Sequence, residues 1–129
     1  DTHLYRNSRL QLSMVEDTKN PSVNRAVQAI SPNFIHSIDA SHMMLTVLKM
    51  YEEGVRSYSM IHDSFGCHCS YVPLMRKILN ETFYEIHKEP LLLRFKEDIE
   101  NVVGPIGRDL PESGGLDIKR VRDSDYLFG

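Results

Sequence analysis

From Phe34 to Glu53, apolar residues recur at helical spacing: Ile38, Leu45, Leu48 and Tyr51 form a stripe, flanked by Met44 and Val47. The pattern predicts a helix over 34–53, free of proline and glycine and stopped by Gly54. A shorter helix is predicted over 22–30, with Val23, Val27 and Ile30 on one face. Ser31-Pro32 should end it, because a residue before proline avoids the helical region. Ahead of it, Leu10-Gln11-Leu12-Ser13-Met14 alternates as a strand does, and Asn20-Pro21 marks a turn.

After Gly54 the period changes from helical to two. Tyr58, Met60 and His62 alternate with Ser57, Ser59 and Ile61, and Cys67 to Tyr71 alternates again. The Asp63-Ser64-Phe65-Gly66 group between them has turn chemistry, so a β-hairpin over about 57–71 is expected, with Asp63 at its tip. Pro73 suits the first turn of a further helix, whose stripe runs Leu74, Ile78, Leu79, Phe83 and Ile86. Glu89-Pro90 breaks it, and a helical run carrying Leu92, Phe95 and Ile99 follows over 91–100. Glycines and prolines between Val103 and Leu116 predict a long loop; the charged end finishes on Tyr126-Leu127-Phe128. The elements add up to an α+β fold, with helices around a small antiparallel hairpin.

Composition narrows the function. Fifteen basic against eighteen acidic residues give a net charge of −3. A free-standing nucleic-acid binder usually carries a basic excess, since phosphate neutralisation supplies most of its affinity. No apolar run approaches the roughly 18 residues of a membrane-spanning helix, and no signal peptide is evident. The sequence opens on Asp1 instead of methionine, as expected of a trimmed chain or a fragment. Its two cysteines, Cys67 and Cys69, lie too close together for an ordinary disulfide and fit a reducing compartment.

Asp63 is the residue with most chemical promise. A carboxylate on a tight hairpin is both exposed and rigidly placed, which suits a magnesium ion that takes one or two protein carboxylates and fills its shell with water and phosphate. On pattern alone a turn-forming aspartate is the commoner case. His36 is equally readable as a partner-bonded helix-start histidine, and His42 as a structural one. A zinc module from His62, Cys67, His68 and Cys69 lacks the second ligand pair that structural zinc sites use.

The wording of the motifs adds a family resemblance. His62-Asp63-Ser64-Phe65-Gly66 resembles the third palm motif of single-subunit, bacteriophage- and mitochondrial-type RNA polymerases. Related DNA polymerases have a glutamate after the aspartate, where Ser64 stands here. Upstream, the stretch Pro32-Asn33-Phe34-Ile35-His36-Ser37-Ile38-Asp39-Ala40-Ser41-His42 is similar to the segment preceding that motif, at a fitting distance. Asn24 to Ile30 is similar to the more variable stretch before it. Downstream, Gly115-Leu116-Asp117-Ile118 and Ser124-Asp125-Tyr126-Leu127-Phe128-Gly129 resemble the family's C-terminal end.

The resemblance implies that residues 1–129 are the C-terminal catalytic portion, palm and adjoining fingers, of a larger right-hand polymerase. Asp63 would be one of two metal-binding aspartates in a two-magnesium site, the second carboxylate lying outside this chain. His62 would sit beside the RNA 3′ end. His36 would face the minor groove of the template–RNA hybrid, with Ser37, Asp39 and Ser64 on the same nucleic-acid surface. Residues 117–129 would form a C-terminal foot, Phe128 and Gly129 reaching the catalytic centre. The implied function is DNA-directed RNA synthesis, with DNA template, RNA product, ribonucleoside triphosphates and the remaining polymerase as partners and no membrane. The nucleotide-binding fingers helix has no counterpart here, so the isolated chain should be inactive. The implied location is intracellular: host cytoplasm for a phage enzyme, a mitochondrion or other organelle otherwise. The competing reading is a non-catalytic split or degenerate polymerase domain that serves as an interaction module.

Overall fold

The structure, a computed structural model, describes residues 13–14 and 20–128. The expected strand over 10–14 lies mostly outside that range, and Ser13 and Met14 are not in a strand. The order is helix α1 (Val23–Glu52), strands β1 (Tyr58–Ile61) and β2 (Ser64–Cys67), a 3-10 turn at Cys69–Tyr71, helices α2 (Val72–His87) and α3 (Leu91–Val103), and a 3-10 segment at Ile118–Asp123. Helices around one two-stranded antiparallel sheet make this an α+β fold. No helix among the described residues is long and apolar enough to cross a membrane.

Two expectations about α1 are corrected. The helix does not stop at Ser31 but runs continuously through Pro32 for 30 residues, about 45 Å. Proline removes a single N–H from the ladder, so the bonds on either side survive and the helix carries on. The second correction concerns its inward face, which is His42, Thr46 and Met50, spaced four apart. Leu48, Tyr51 and Met44, placed on or beside the apolar stripe by periodicity, are more than half exposed. The cause is a polar seam against α2.

In that seam the His42 Nε2 lies 3.1 Å from the Leu79 carbonyl oxygen and 3.0 Å from Thr82 Oγ1. A carbonyl only accepts, so Nε2 carries the proton. The Thr82 hydroxyl donates to the Ile78 carbonyl at 2.8 Å, and the Thr46 hydroxyl donates to the His42 carbonyl at 2.8 Å. The two threonine oxygens are 3.1 Å apart and both residues are fully buried. Burial pulls the His42 pKa below its ordinary value, partly opposed by the bond to Leu79. The imidazole is thus neutral in the fold. At the seam's edge, Lys49 bridges to Glu85 at 2.8 Å.

Below the seam sits a small core of Met50, Val55, Met75, Ile78 and Leu79, with Tyr58, Met60, Phe65, Cys67 and Leu74 packed on it. Gly54 ends α1 at φ 87, a conformation that costs a residue with a Cβ. Val55 N–H reaches back to the Met50 carbonyl at 3.0 Å and Gly54 N–H to that of Tyr51 at 3.1 Å. This is a Schellman stop, and its customary hydrophobic contact is supplied by Met50 and Val55. The chain therefore leaves α1 aimed straight into β1.

The segment after residue 116 is tied to α2. Asn80 Nδ2 donates to the Ser124 carbonyl at 2.8 Å, and Arg122 meets Glu81 at 3.3 Å. Helix α3 buries no side chain among the described residues and touches α1 through Phe95 on Phe34, ring centroids 4.7 Å apart.

If the seam fixes α1 on α2, Thr82→Val should destabilise the chain by about 1–2 kcal/mol despite its matched shape. Urea unfolding measures this; an unchanged midpoint would show that the seam contributes nothing.

Candidate active site

Strands β1 and β2 pair Tyr58 with Cys67, Ser59 with Gly66, Met60 with Phe65 and Ile61 with Ser64. Only His62 and Asp63 remain to make the connection. The strands are shorter than the expected 57–71 hairpin, because β2 ends at Cys67 and the chain turns into the 3-10 segment. His68 caps that segment, its side chain accepting from Ser70 N–H, so the apparent alternation at Cys67–Tyr71 is not a strand.

Two-residue hairpin loops favour positive φ, and here His62 adopts it at φ 54. A left-handed residue other than glycine costs roughly 1–2 kcal/mol, and such strain is found most often at functional sites. Its local effect is to hold His62 and Asp63 exposed at the tip while Met60 and Phe65 anchor the strands on the core. Among the described residues, neither the Asp63 carboxylate nor the His62 imidazole has a hydrogen-bond or ion-pair partner.

The tip faces a cleft of about 640 Å³. One wall is His36, Asp39, Ala40 and Met43 of α1; the other is Met60, Ile61, His62 and Asp63. Positions 36, 39, 40 and 43 share one helix face, so a straight helix presents all four to the hairpin. The fold thereby joins four of the residues singled out in the sequence: His36, Asp39, His62 and Asp63. Ser37 and Ser64 are exposed but do not line the cleft, and the Ser37 carbonyl accepts from Ser41 Oγ at 2.9 Å. Phe128 lies outside it too, packed on Phe65 and His42 at centroid distances of 5.4 Å each. Gly129 falls outside the described residues. The apolar lining, Ala40, Met43, Met60 and Ile61, was missed in sequence, although the i, i+4, i+7 spacing from His36 would have found the first two.

Among the described residues no group of three or more His, Cys, Asp or Glu side chains could hold a metal ion. A closed zinc centre on the cysteines is not formed. Burial, with help from Cys69, pushes the Cys67 thiol up and away from the thiolate a metal needs.

Residues 3–106 match the family model described as DNA-dependent RNA polymerase. The chain belongs to that family. It is 37% identical over 127 residues to DNA-directed RNA polymerase 1A of Nicotiana tabacum, covering 98% of this chain and 81% of that protein. It is 39% identical over 128 residues to DNA-directed RNA polymerase 2, chloroplastic/mitochondrial, of Arabidopsis thaliana. With DNA-directed RNA polymerase 1, mitochondrial, of Nicotiana sylvestris it shares 37% over 127 residues. Against each of the latter two it covers 98% of itself but only 13% of the relative.

RNA polymerase chemistry in general uses a divalent cation; among the described residues no complete metal site is formed, and the Asp63 carboxylate at the cleft wall is a hard-oxygen donor of the kind magnesium takes. The strained tip gives a test of its own. His62→Gly should raise the chain's stability by about 1 kcal/mol, since glycine adopts positive φ freely. Thermal unfolding checks it, and a lowered midpoint would show that the imidazole, not the backbone, holds the turn.

Proposed function

We propose that this chain is the C-terminal catalytic portion of a single-subunit DNA-directed RNA polymerase, with Asp63 a ligand of the catalytic magnesium. The observation that carries the reading is the cleft that sets His36 and Asp39 of α1 across from His62 and Asp63 at the hairpin tip. Magnesium there would supply charge stabilisation to the phosphate under attack, and Asp63 would hold it from the two-residue turn. His62, next to it on the cleft wall, orients the RNA 3′ end. That hydroxyl attacks the α-phosphate of the incoming ribonucleotide and pyrophosphate leaves.

His36 and Asp39 line the opposite wall. A ring N–H on His36 suits the shallow minor groove of a template–RNA hybrid, where a single donor reads shape with little regard to sequence. Ser37 and Ser64 flank this surface, and Phe128 supports the hairpin through its contact with Phe65. The second carboxylate and the nucleotide-binding helix belong to the rest of the polymerase, so the isolated chain is inactive. The relatives named as mitochondrial or chloroplastic support an organellar site of action over a phage one.

The alternative, a non-catalytic interaction domain of a split polymerase, draws on the apolar side chains left in solvent, among them Val23, Val27, Ile30, Val102 and Val103. The same exposure is expected of a catalytic portion whose neighbouring parts are elsewhere in the enzyme.

Magnesium-dependent ribonucleotide incorporation on a primed DNA template separates the two. With the upstream polymerase region supplied, Asp63→Asn should lower the rate by roughly a thousand-fold, about 4 kcal/mol of transition-state stabilisation. An Asp63→Asn enzyme as active as the parent would remove the catalytic reading and leave the interaction module.

A further inference from the structure

We propose that His42 is a positioning residue of the polymerase, its ring the joint that holds the Asp63 hairpin in register with the cleft wall on α1. The proposal rests on the catalytic reading of Asp63.

His42 is 4% exposed, a position where a filler would ordinarily be apolar. What distinguishes it is the number of separate segments that converge on one ring. Phe65 of β2 meets it edge-on at 5.7 Å between centroids. Phe83 of α2 does the same at 5.6 Å. Phe128, near the end of the chain, stacks on it at 5.4 Å with the planes 11° apart. Phe65 and Phe128 also touch each other, at 5.4 Å. Edge-on and stacked contacts are directional, so they fix angles as well as distances.

Two of these connections, Phe65 and the turn of α1 that carries His42, lead to the cleft. Phe65 is the cross-strand partner of Met60, a lining residue, and lies two positions after Asp63. On α1, Asp39 and Met43 neighbour His42 along the helix and line the opposite wall. The Nε2 of the same ring also bonds the Leu79 carbonyl at 3.1 Å and ties α1 to α2, a second function separate from the ring contacts. A ring that shifts therefore moves one wall of the cleft against the other. Misplacement of catalytic groups by about 1 Å can cost on the order of a hundred-fold in rate. Neutrality of the imidazole, favoured by its burial, keeps charge out of the aromatic cluster.

The test separates ring from hydrogen bond. His42→Phe keeps a planar ring and loses Nε2; His42→Gln keeps a polar end and loses the ring. In polymerase assembled from this chain and its upstream region, His42→Gln should reduce kcat roughly ten- to hundred-fold. Its KM for ribonucleotide should stay within about two-fold, as expected when only transition-state alignment is lost. His42→Phe should recover kcat to within roughly three-fold of the parent. Phe128→Leu, further from the seam and available if His42→Gln fails to assemble, should reproduce the kcat loss. Unchanged kcat in His42→Gln or Phe128→Leu, beside an inactive Asp63→Asn control, would overturn the positioning role alone. So would a loss that follows the assembled fraction, or a His42→Phe enzyme no better than His42→Gln. Full activity in Asp63→Asn would instead overturn the catalytic reading and this inference with it.

Discussion

The buried hydrogen-bonded seam between α1 and α2 is the constraint on which the other elements depend. His42 and Thr46 face Leu79 and Thr82 there, and the Nε2–H of His42, shared between the Leu79 carbonyl and Thr82 hydroxyl oxygens, favours one rotation and one register of the two helices. An apolar contact of the same area tolerates sliding; a polar one that slips leaves buried groups unpaired, at a cost of about 1–3 kcal/mol each. With α1 fixed, the Schellman stop at Gly54 directs the chain into β1, and the hairpin lands with Met60 and Phe65 on the core. The position of Asp63 is thus inherited from helix packing, since none of the described residues bonds its carboxylate directly.

The strain at His62 belongs to the same economy of construction. A two-residue connection leaves little slack between the paired strands, and His62 and Asp63 are held at the tip by the register on either side. The mildly acidic chain is accommodated as well. Where relatives span several times its length, this segment covers 13% of them, and phosphate-neutralising surface need not lie within it. Among the described residues the buried apolar core is confined to Met50, Val55, Met75, Ile78 and Leu79.

Much of the architecture was legible from the residues. Period-two alternation at Tyr58–Met60, the glycine stop at 54, Pro73 in the first turn of α2 and the Glu89-Pro90 break all act locally, and local chemistry is what sequence records. Two misreadings share a cause. Pro32 looked like a boundary because a proline is disfavoured inside a helix, yet one missing N–H does not end a ladder supported on both sides. The stripe Leu48–Tyr51 looked like the core face because hydropathy ranks histidine and threonine as surface residues; their pairing across α1 and α2 is a tertiary fact with no local trace. The site divides the same way. His62-Asp63 was legible as a turn, and the motifs around it as a polymerase resemblance. That His36 and Asp39 would share a cleft with them follows only from the crossing of α1 over the hairpin.

The central claim, a divalent ion held at the Asp63 tip inside the cleft, is tested most directly by replacing magnesium with ferrous iron in the assembled polymerase. With hydrogen peroxide added as oxidant and ascorbate to return ferric to ferrous iron, iron bound at the site reduces the peroxide to hydroxyl radicals that cut the nearest backbone, and mapping the cuts locates the ion. The account predicts cleavage at the hairpin near residues 62–64 and on the facing turn of α1 near residues 36–40, suppressed by excess magnesium. Cuts confined to other segments, or a hairpin left intact while polymerisation proceeds, would contradict it.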